Sequence, residues 1–315
     1  MSKAIRVEGL VKRYGDFAAV DDVSFDVSEG EVFGILGPNG AGKTTTLEII
    51  EGLQRPTSGQ VTVLGKDILK EPRPIKARIG VQLQSSAYFS YLNLREILNL
   101  LGSFYPRRLP PDELLALVGL ADRANSRINQ LSIGQSQRFT VAASLVNDPE
   151  LVILDEPTTG LDPQARHNLW DLISEIHARN VTVVLTSHYM EEAELLCQRL
   201  AIMDHGRIVA IDTPGNLISR IDTTYTVKLQ TDRPLSDGQC HALKKGGSLQ
   251  TLAVDPLIQP TSANSYILRL DRNPESLNQA LDGIVRSGIS LKHLEIQPAT
   301  LEDVFLELTG NELRD

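Results

Sequence analysis

The chain holds two cysteines, Cys197 and Cys240, in 315 residues. They form no CxxC and no histidine cluster flanks them, so a disulfide framework and a thiolate metal site are excluded. Free thiols in a reducing compartment are predicted. Long apolar runs are also missing. Leu151–Leu154 and Val181–Leu185 have strand length, far below the ~20 residues of a membrane span. The opening residues Met1 to Glu8 lead into no apolar stretch, so no signal peptide is expected. Any membrane part of the work must therefore come from another chain. Positive charge is in deficit: the formal net charge is −9. Gripping nucleic acid relies on clustered Lys and Arg, so no nucleic-acid partner is expected.

Hydrophobic residues make up 41% and charged residues 23%, enough for a globular chain to bury a sizeable core. The length suits two domains, one large and one modest. The first 210 residues alternate short β-type runs with helical patterns. Ile5–Leu10, Val23–Val27, Glu31–Leu36, Gln60–Leu64 and Ile79–Gln84 read as strands, and Thr44–Gly52 as a helix. Leu151–Leu154 and Val181–Thr186 are continuous apolar strands, the pattern of a parallel sheet covered on both faces. Between them Pro163–Arg179 reads as a helix, with Leu169, Leu172, Ile173 and Ile176 on one face. This alternation predicts an α/β core.

Leu94–Phe104 and Asp112–Leu120 read as helices with no strand between them, which suggests a helical lobe inserted at about 88–148. The composition shifts near Asp212 to Gly215. Residues 214–315 then predict a small α+β domain with strands Thr224–Leu229, Ser265–Leu270 and Ser290–Gln297. One helix carries Leu277, Ala280, Leu281, Ile284 and Val285 on a single face. A second carries Leu301, Val304, Phe305 and Leu308, with Thr300 and Asp303 at its start as an N-cap signal.

Gly37, Pro38, Asn39, Gly40, Ala41, Gly42, Lys43 and Thr44 match GxxxxGK[ST] between a predicted strand and a predicted helix. Glycines let successive N–H groups curl around phosphate oxygens, and the helix N-terminus adds partial positive charge. Lys43 reaches β- and γ-phosphates, and the Thr44 hydroxyl suits Mg²⁺. Average residue frequencies give a bare match roughly once in a hundred chains of this length, so the strand and helix on either side carry the weight. A second signal is the apolar strand 151–154, which runs into Asp155 and Glu156. Asp155 is positioned to hold the metal's water shell, and Glu156 to orient or deprotonate an attacking water.

Leu131 to Gln135 (Leu-Ser-Ile-Gly-Gln) resembles the LSGGQ signature of ATP-binding cassette ATPases. In the family's order, Gly160 to Asp162 resembles its D-loop and Thr186 to His188 its switch histidine. Gln84 resembles the Q-loop glutamine, and Tyr14 the aromatic that stacks on adenine. The resemblance covers residues 3–215. It implies a P-loop NTPase core of ABC ATPase type, spanning 1–213, with an inserted helical subdomain and a small C-terminal α+β domain. It extends the nucleotide grip to Thr45, and adds Tyr14, Ser132, Gly134, Gln135 and Asp162. It gives Lys43, Gln84, Glu156 and His188 catalytic roles, and Thr44, Gln84 and Asp155 the Mg²⁺. One position departs from the pattern: Ile133 stands where glycine is commonest, adding bulk and a stiff backbone beside the signature.

The implied mechanism sandwiches two ATP molecules between two copies of the chain, each ATP between one copy's 37–44 loop and the other's Ser132 to Gln135. The tail from Ala299 to Gly310 resembles ATPase subunits paired with type-2 exporter permeases. The implied partners are a second copy and a multi-span membrane permease, with the chain peripheral on the cytoplasmic face of the membrane. An importer subunit and a soluble cassette ATPase are the competing readings. Ala87 to Leu92 is aromatic for a loop, and two readings stay open for it: a groove for a permease helix, or core packing of the helical lobe. The C-terminal domain is open between a clamp or regulator and a plain extension of the core.

Overall fold

The computed structural model describes residues 2–82, 88–221, 223–236, 238–240, 248–250, 264–271 and 275–309. The chain divides into two compact units, Met1–Pro214 and Gly215–Glu312. Among the described residues no helix is long and apolar enough to cross a membrane.

In the first unit, β1 (Lys3–Tyr14) and β2 (Phe17–Ser28) form a long hairpin. With β4 (Ser58–Val63) and β5 (Lys66–Asp67) they make an antiparallel sheet of order β2-β1-β4-β5. The central sheet takes β3 (Val32–Leu36), β6 (Ile79–Gln82), β7 (Leu151–Leu154), β8 (Thr182–Ser187), β9 (Arg199–Asp204) and β10 (Arg207–Asp212) in the order β10-β9-β3-β8-β7-β6. All its pairings are parallel except β10 on β9. Every residue of β3, β7 and β8 is buried, which is why those segments read as unbroken apolar runs rather than alternating ones.

The two sheets share a core. Phe25 of β2 stacks on Phe33 of β3 with ring centroids 5.4 Å apart. The same core takes Leu47, Ile49 and Ile50 from α1 (Lys43–Ile50) and Ile75 from α2 (Pro72–Lys76). Fully burying side chains of this size stabilises by roughly 1.5–3 kcal/mol each, which anchors the helix that follows the 37–42 loop.

Between β6 and β7 the elements formed by the described residues are helices. They include α3 (Leu94–Gly102), α4 (Pro111–Leu117) and α5 (Ile133–Ser144). Asn93 caps α3 in a capping box: its Oδ1 accepts from Glu96 N, and Glu96 Oε2 accepts from Asn93 N, both at 2.9 Å. The aromatic segment before α3 splits. Tyr88 packs edge-on against Phe139 of α5 at 5.3 Å, whereas Phe89 and Tyr91 stay exposed beside one another. Ala87 lies outside the described residues. The unit continues with α6 (Pro163–Ala178) and α7 (Met190–Leu196).

The junction helix is α8 (Pro214–Arg220). The second unit is an antiparallel sheet of order β12-β13-β11-β14, with β11 (Thr223–Thr231), β12 (Ser248–Gln250), β13 (Ser265–Asp271) and β14 (Leu291–Pro298). Its core joins Val227, Leu229, Tyr266, Leu268 and Leu270 to Ala280 and Ile284 of α9 (Ser276–Arg286). Val285 departs from the predicted apolar face: it is 78% exposed. The stripe 277, 280, 281, 284 already fills the face towards the sheet, and Val285 lies one residue, about 100°, past Ile284. In α10 (Leu301–Thr309), Leu301, Val304 and Phe305 are buried and Leu308 is exposed. The cap before α10 works through the acid: Asp303 Oδ2 accepts from Thr300 N at 3.0 Å and from Thr300 Oγ1 at 3.1 Å.

Candidate active site

β3 delivers the chain into the loop 37–42, which opens directly into α1. Gly42, the residue before α1, has φ +98°. A Cβ there would stand 2.4 Å from the carbonyl oxygen of Ala19, so glycine is required by both conformation and space. Ala41 N donates back to Pro38 O at 3.1 Å, closing a turn. Asn39 and Gly40 form its exposed tip.

Lys43 starts α1 with its side chain buried. Its Nζ donates to Gly37 O at 2.8 Å and Pro38 O at 3.2 Å, and lies 3.4 Å from Glu156 Oε1. Burial pulls this amine below the ordinary lysine value, with the Glu156 carboxylate pulling the other way. Thr44 Oγ1 donates to Asp155 Oδ2 at 3.1 Å. Thr45 follows on α1, half-buried.

Asp155 and Glu156 leave the end of β7 and are both buried. Thr186, on the neighbouring β8, joins them. Its hydroxyl donates to Asp155 Oδ1 at 2.5 Å and accepts the Glu156 N–H at 2.9 Å. Glu156 has φ +47°, an uncommon conformation for a non-glycine residue. Strain of this kind costs roughly 1–3 kcal/mol and persists where surroundings over-determine it. Thr159 Oγ1 donates to Glu156 Oε2 at 3.2 Å. His188 presents Nδ1 to the same oxygen at 3.5 Å, too far for a hydrogen bond, and that nitrogen is buried with no hydrogen-bond partner. Lys43, Thr44, Asp155, Glu156 and His188 thus converge in one place.

The arrangement fits a nucleotide's phosphates. A buried ammonium, a glycine-shaped loop at a helix start and an orphaned imidazole nitrogen surround a buried carboxylate. It also fits Mg²⁺. Among the described residues no cluster of three or more His, Cys, Asp or Glu could hold a metal, but Mg²⁺ needs only one or two protein oxygens beside substrate and water. Thr44 Oγ1 and Asp155 Oδ2, 3.1 Å apart, are the oxygens that would hold it, directly or through its water shell.

Other expected residues lie elsewhere. Gln84 is outside the described residues. Tyr14 ends β1 half-exposed, its hydroxyl donating to Gln54 Oε1 at 2.5 Å and its ring under Lys12 Nζ at 5.0 Å; these contacts are not with the phosphate loop. Ser132 caps α5 in a capping box with Gln135: Ser132 Oγ accepts from Gln135 N at 3.2 Å, and Gln135 Oε1 accepts from Ser132 N at 3.1 Å. Ile133 points outward, 72% exposed, and leaves that cap intact. A Cβ on Gly134 would meet Ala165 Cβ at 3.0 Å, so the signature packs closely on the start of α6. Asp162 caps that helix, accepting from Ala165 N at 2.9 Å. Sequence reasoning missed the bridging role of Thr186. Its only signal was its place in the Thr186 to His188 run, whereas its partners are 30 and 31 residues away.

Comparison with known proteins agrees with this geometry. The sequence pattern of the family described as "ABC transporter" matches residues 20–159. The Nod factor export ATP-binding protein I of Cupriavidus pinatubonensis is 40% identical over 322 residues, covering 100% of this chain and 93% of that protein. Its namesake from Paraburkholderia xenovorans is 37% identical over 322 residues, covering 99% of each. Among solved structures, a dimeric ATP-binding cassette in a post-hydrolysis state bound to ADP and Pi aligns with a TM-score of 0.60 and 27% identity, covering 66% of this chain and 98% of that one. Phosphate loop, paired acids and relatives across nearly the whole length agree: the chain belongs to the ABC transporter family and is an ATPase subunit of it.

Proposed function

We propose that two copies of this chain close on ATP and that hydrolysis drives export through a separate multi-span permease, on the cytoplasmic face of the membrane. The observation that carries this reading is the convergence of Lys43, Thr44, Asp155, Glu156 and His188 on one point. The relatives' name, Nod factor export ATP-binding protein I, supports the direction of transport. The dimeric solved cassette supports the second copy.

The loop's N–H groups and Lys43 Nζ hold the phosphates. Thr44 and Asp155 hold Mg²⁺, which when bound neutralises charge on the phosphate oxygens. Glu156 orients the attacking water and takes its proton at a carboxylate oxygen, between the Lys43 ammonium and the His188 ring. His188 contacts the γ-phosphate. Tyr14 stacks on adenine. Gln84 joins the metal shell, as the family resemblance implies. The second copy brings Ser132 and Gly134, whose hydroxyl and N–H sit at a helix N-terminus suited to an anion. The capping box uses Ser132 Oγ as an acceptor, so its proton stays available to a phosphate oxygen. Ile133 points away from that cap, which supports a working signature despite the departure from glycine.

The exposed Phe89 and Tyr91 rings, with the helical lobe behind them, support docking of a short permease helix on this side of the cassette. The test is recovery of the tagged chain from detergent-solubilised membranes of its own cells. A multi-span protein recovered with it, in a complex that turns over ATP in vesicles, is the expected result. A chain recovered free of any membrane protein, with full turnover as a monomer, overturns the transport assignment.

A further inference from the structure

A groove of about 230 Å³ opens in the first unit beside the end of α1. Glu51, Leu53, Lys76, Ile79, Val81 and Tyr105 line it. Its volume is below the ~300 Å³ at which small-ligand pockets begin, so it suits one long side chain better than a free ligand. Leu53, one of the lining residues, is itself an exposed apolar group.

Glu51 is the anomaly in this groove. It is 2% exposed, and its Oε2 is buried with no hydrogen-bond partner. Lys76 lines the same groove, but its ammonium donates to Gly52 O at 3.2 Å and makes no ion pair with Glu51 among the described residues. An unpaired buried carboxylate costs several kcal/mol. Burial accordingly pushes the Glu51 carboxyl up to about 8, with the charges of Asp155 and Glu48 adding to it and Lys76 opposing. A buried acid that lines a largely apolar groove and has no ion-pair partner among the described residues lacks a partner that those residues do not supply.

We infer that this groove is a receptor for one cationic side chain, an arginine or lysine carried on a cytoplasmic segment of the membrane partner, which pairs with Glu51. This rests on the docking reading above and deepens it. Arginine fits best: its fork presents paired donors to both carboxylate oxygens and is more weakly hydrated than an ammonium. The position also links to the chemistry. Glu51 ends the helix that Lys43 and Thr44 begin, about 12 Å along its axis. The β6 strand that lines the groove accepts Asp155 N at Gln82 O, at 3.1 Å. Filling the groove therefore acts on both elements that hold the phosphate site.

The experiment places the photo-crosslinker p-benzoylphenylalanine at Tyr105 in the full chain, within its own cells, alone and together with Glu51→Gln or Glu51→Lys. The expected result is a crosslink to a membrane protein, at a segment carrying an arginine or lysine, that falls at least tenfold in both variants. Reversing that residue to glutamate should restore the crosslink with Glu51→Lys. Glu51→Gln keeps the side chain's shape, so a fall there at a melting temperature no lower than the wild type's reports lost pairing rather than lost fold. An undiminished crosslink in both variants, or a crosslinked segment with no cation, overturns the receptor role while docking stands. No crosslink at all from Tyr105 overturns the docking reading itself.

Discussion

Lys43 Nζ stands 3.4 Å from Glu156 Oε1, with both side chains buried. The proposed phosphate grip and the proposed base are thus electrostatically joined. Glu156→Gln removes the charge and keeps the shape. ATP binding, read by equilibrium fluorescence of a labelled nucleotide, is expected to persist, and steady-state turnover to fall by at least ~10²-fold, as for loss of a general base. Undiminished turnover removes Glu156 from the mechanism.

Thr186 ties the two acids together through a single hydroxyl. Thr186→Val is close in shape and leaves the Glu156 N–H without its acceptor. Leaving a buried group unsatisfied costs about 1–3 kcal/mol. Loss of the hydroxyl that orients Asp155, the proposed metal ligand, is expected to raise the Mg²⁺ requirement by roughly 10–100-fold. Chemical denaturation and a Mg²⁺ titration of ATPase activity read the two effects separately. An unchanged Mg²⁺ titration leaves Thr186 as a structural bridge alone.

Glu51 makes stability depend on pH. Its carboxyl stands at about 8 in the folded chain against an ordinary 4.5. Between those values the folded chain keeps a proton that the unfolded chain has released. The contribution is therefore fully present below the lower value and is lost as pH rises to the upper, at about 1.4 kcal/mol per pH unit. Urea midpoints between about pH 5 and 8 should fall more steeply for the wild type than for Glu51→Gln. Parallel curves would remove Glu51 from the account.

Much of the fold was legible because its signals are local. The strands 151–154 and 182–187 are buried throughout, and their apolar runs Leu151–Leu154 and Val183–Leu185 are legible since both faces of the central sheet are covered. The α/β core with a helical stretch between β6 and β7 is as predicted. Boundaries were less legible: β1 and β2 each run 12 residues, well beyond their apolar centres, because hairpin pairing extends strands through polar residues. Val285 misled because adjacent apolar residues widen a stripe on paper, whereas the sheet covers only part of a helix's circumference.

By itself, the sequence determined the glycine-rich loop before α1 and the acids after β7, the residues to which phosphate and metal roles are proposed. Their chemistry is carried by contiguous residues, and contiguity forces proximity. Only the tertiary structure decided which groups meet across distance. It brought Thr186 between Asp155 and Glu156, His188 to the far oxygen of Glu156, and Gly134 against Ala165. It also left Glu51 buried without an ion-pair partner among the described residues. Such meetings depend on how parallel strands align side by side and how helices pack over them, and no local pattern of residues encodes that.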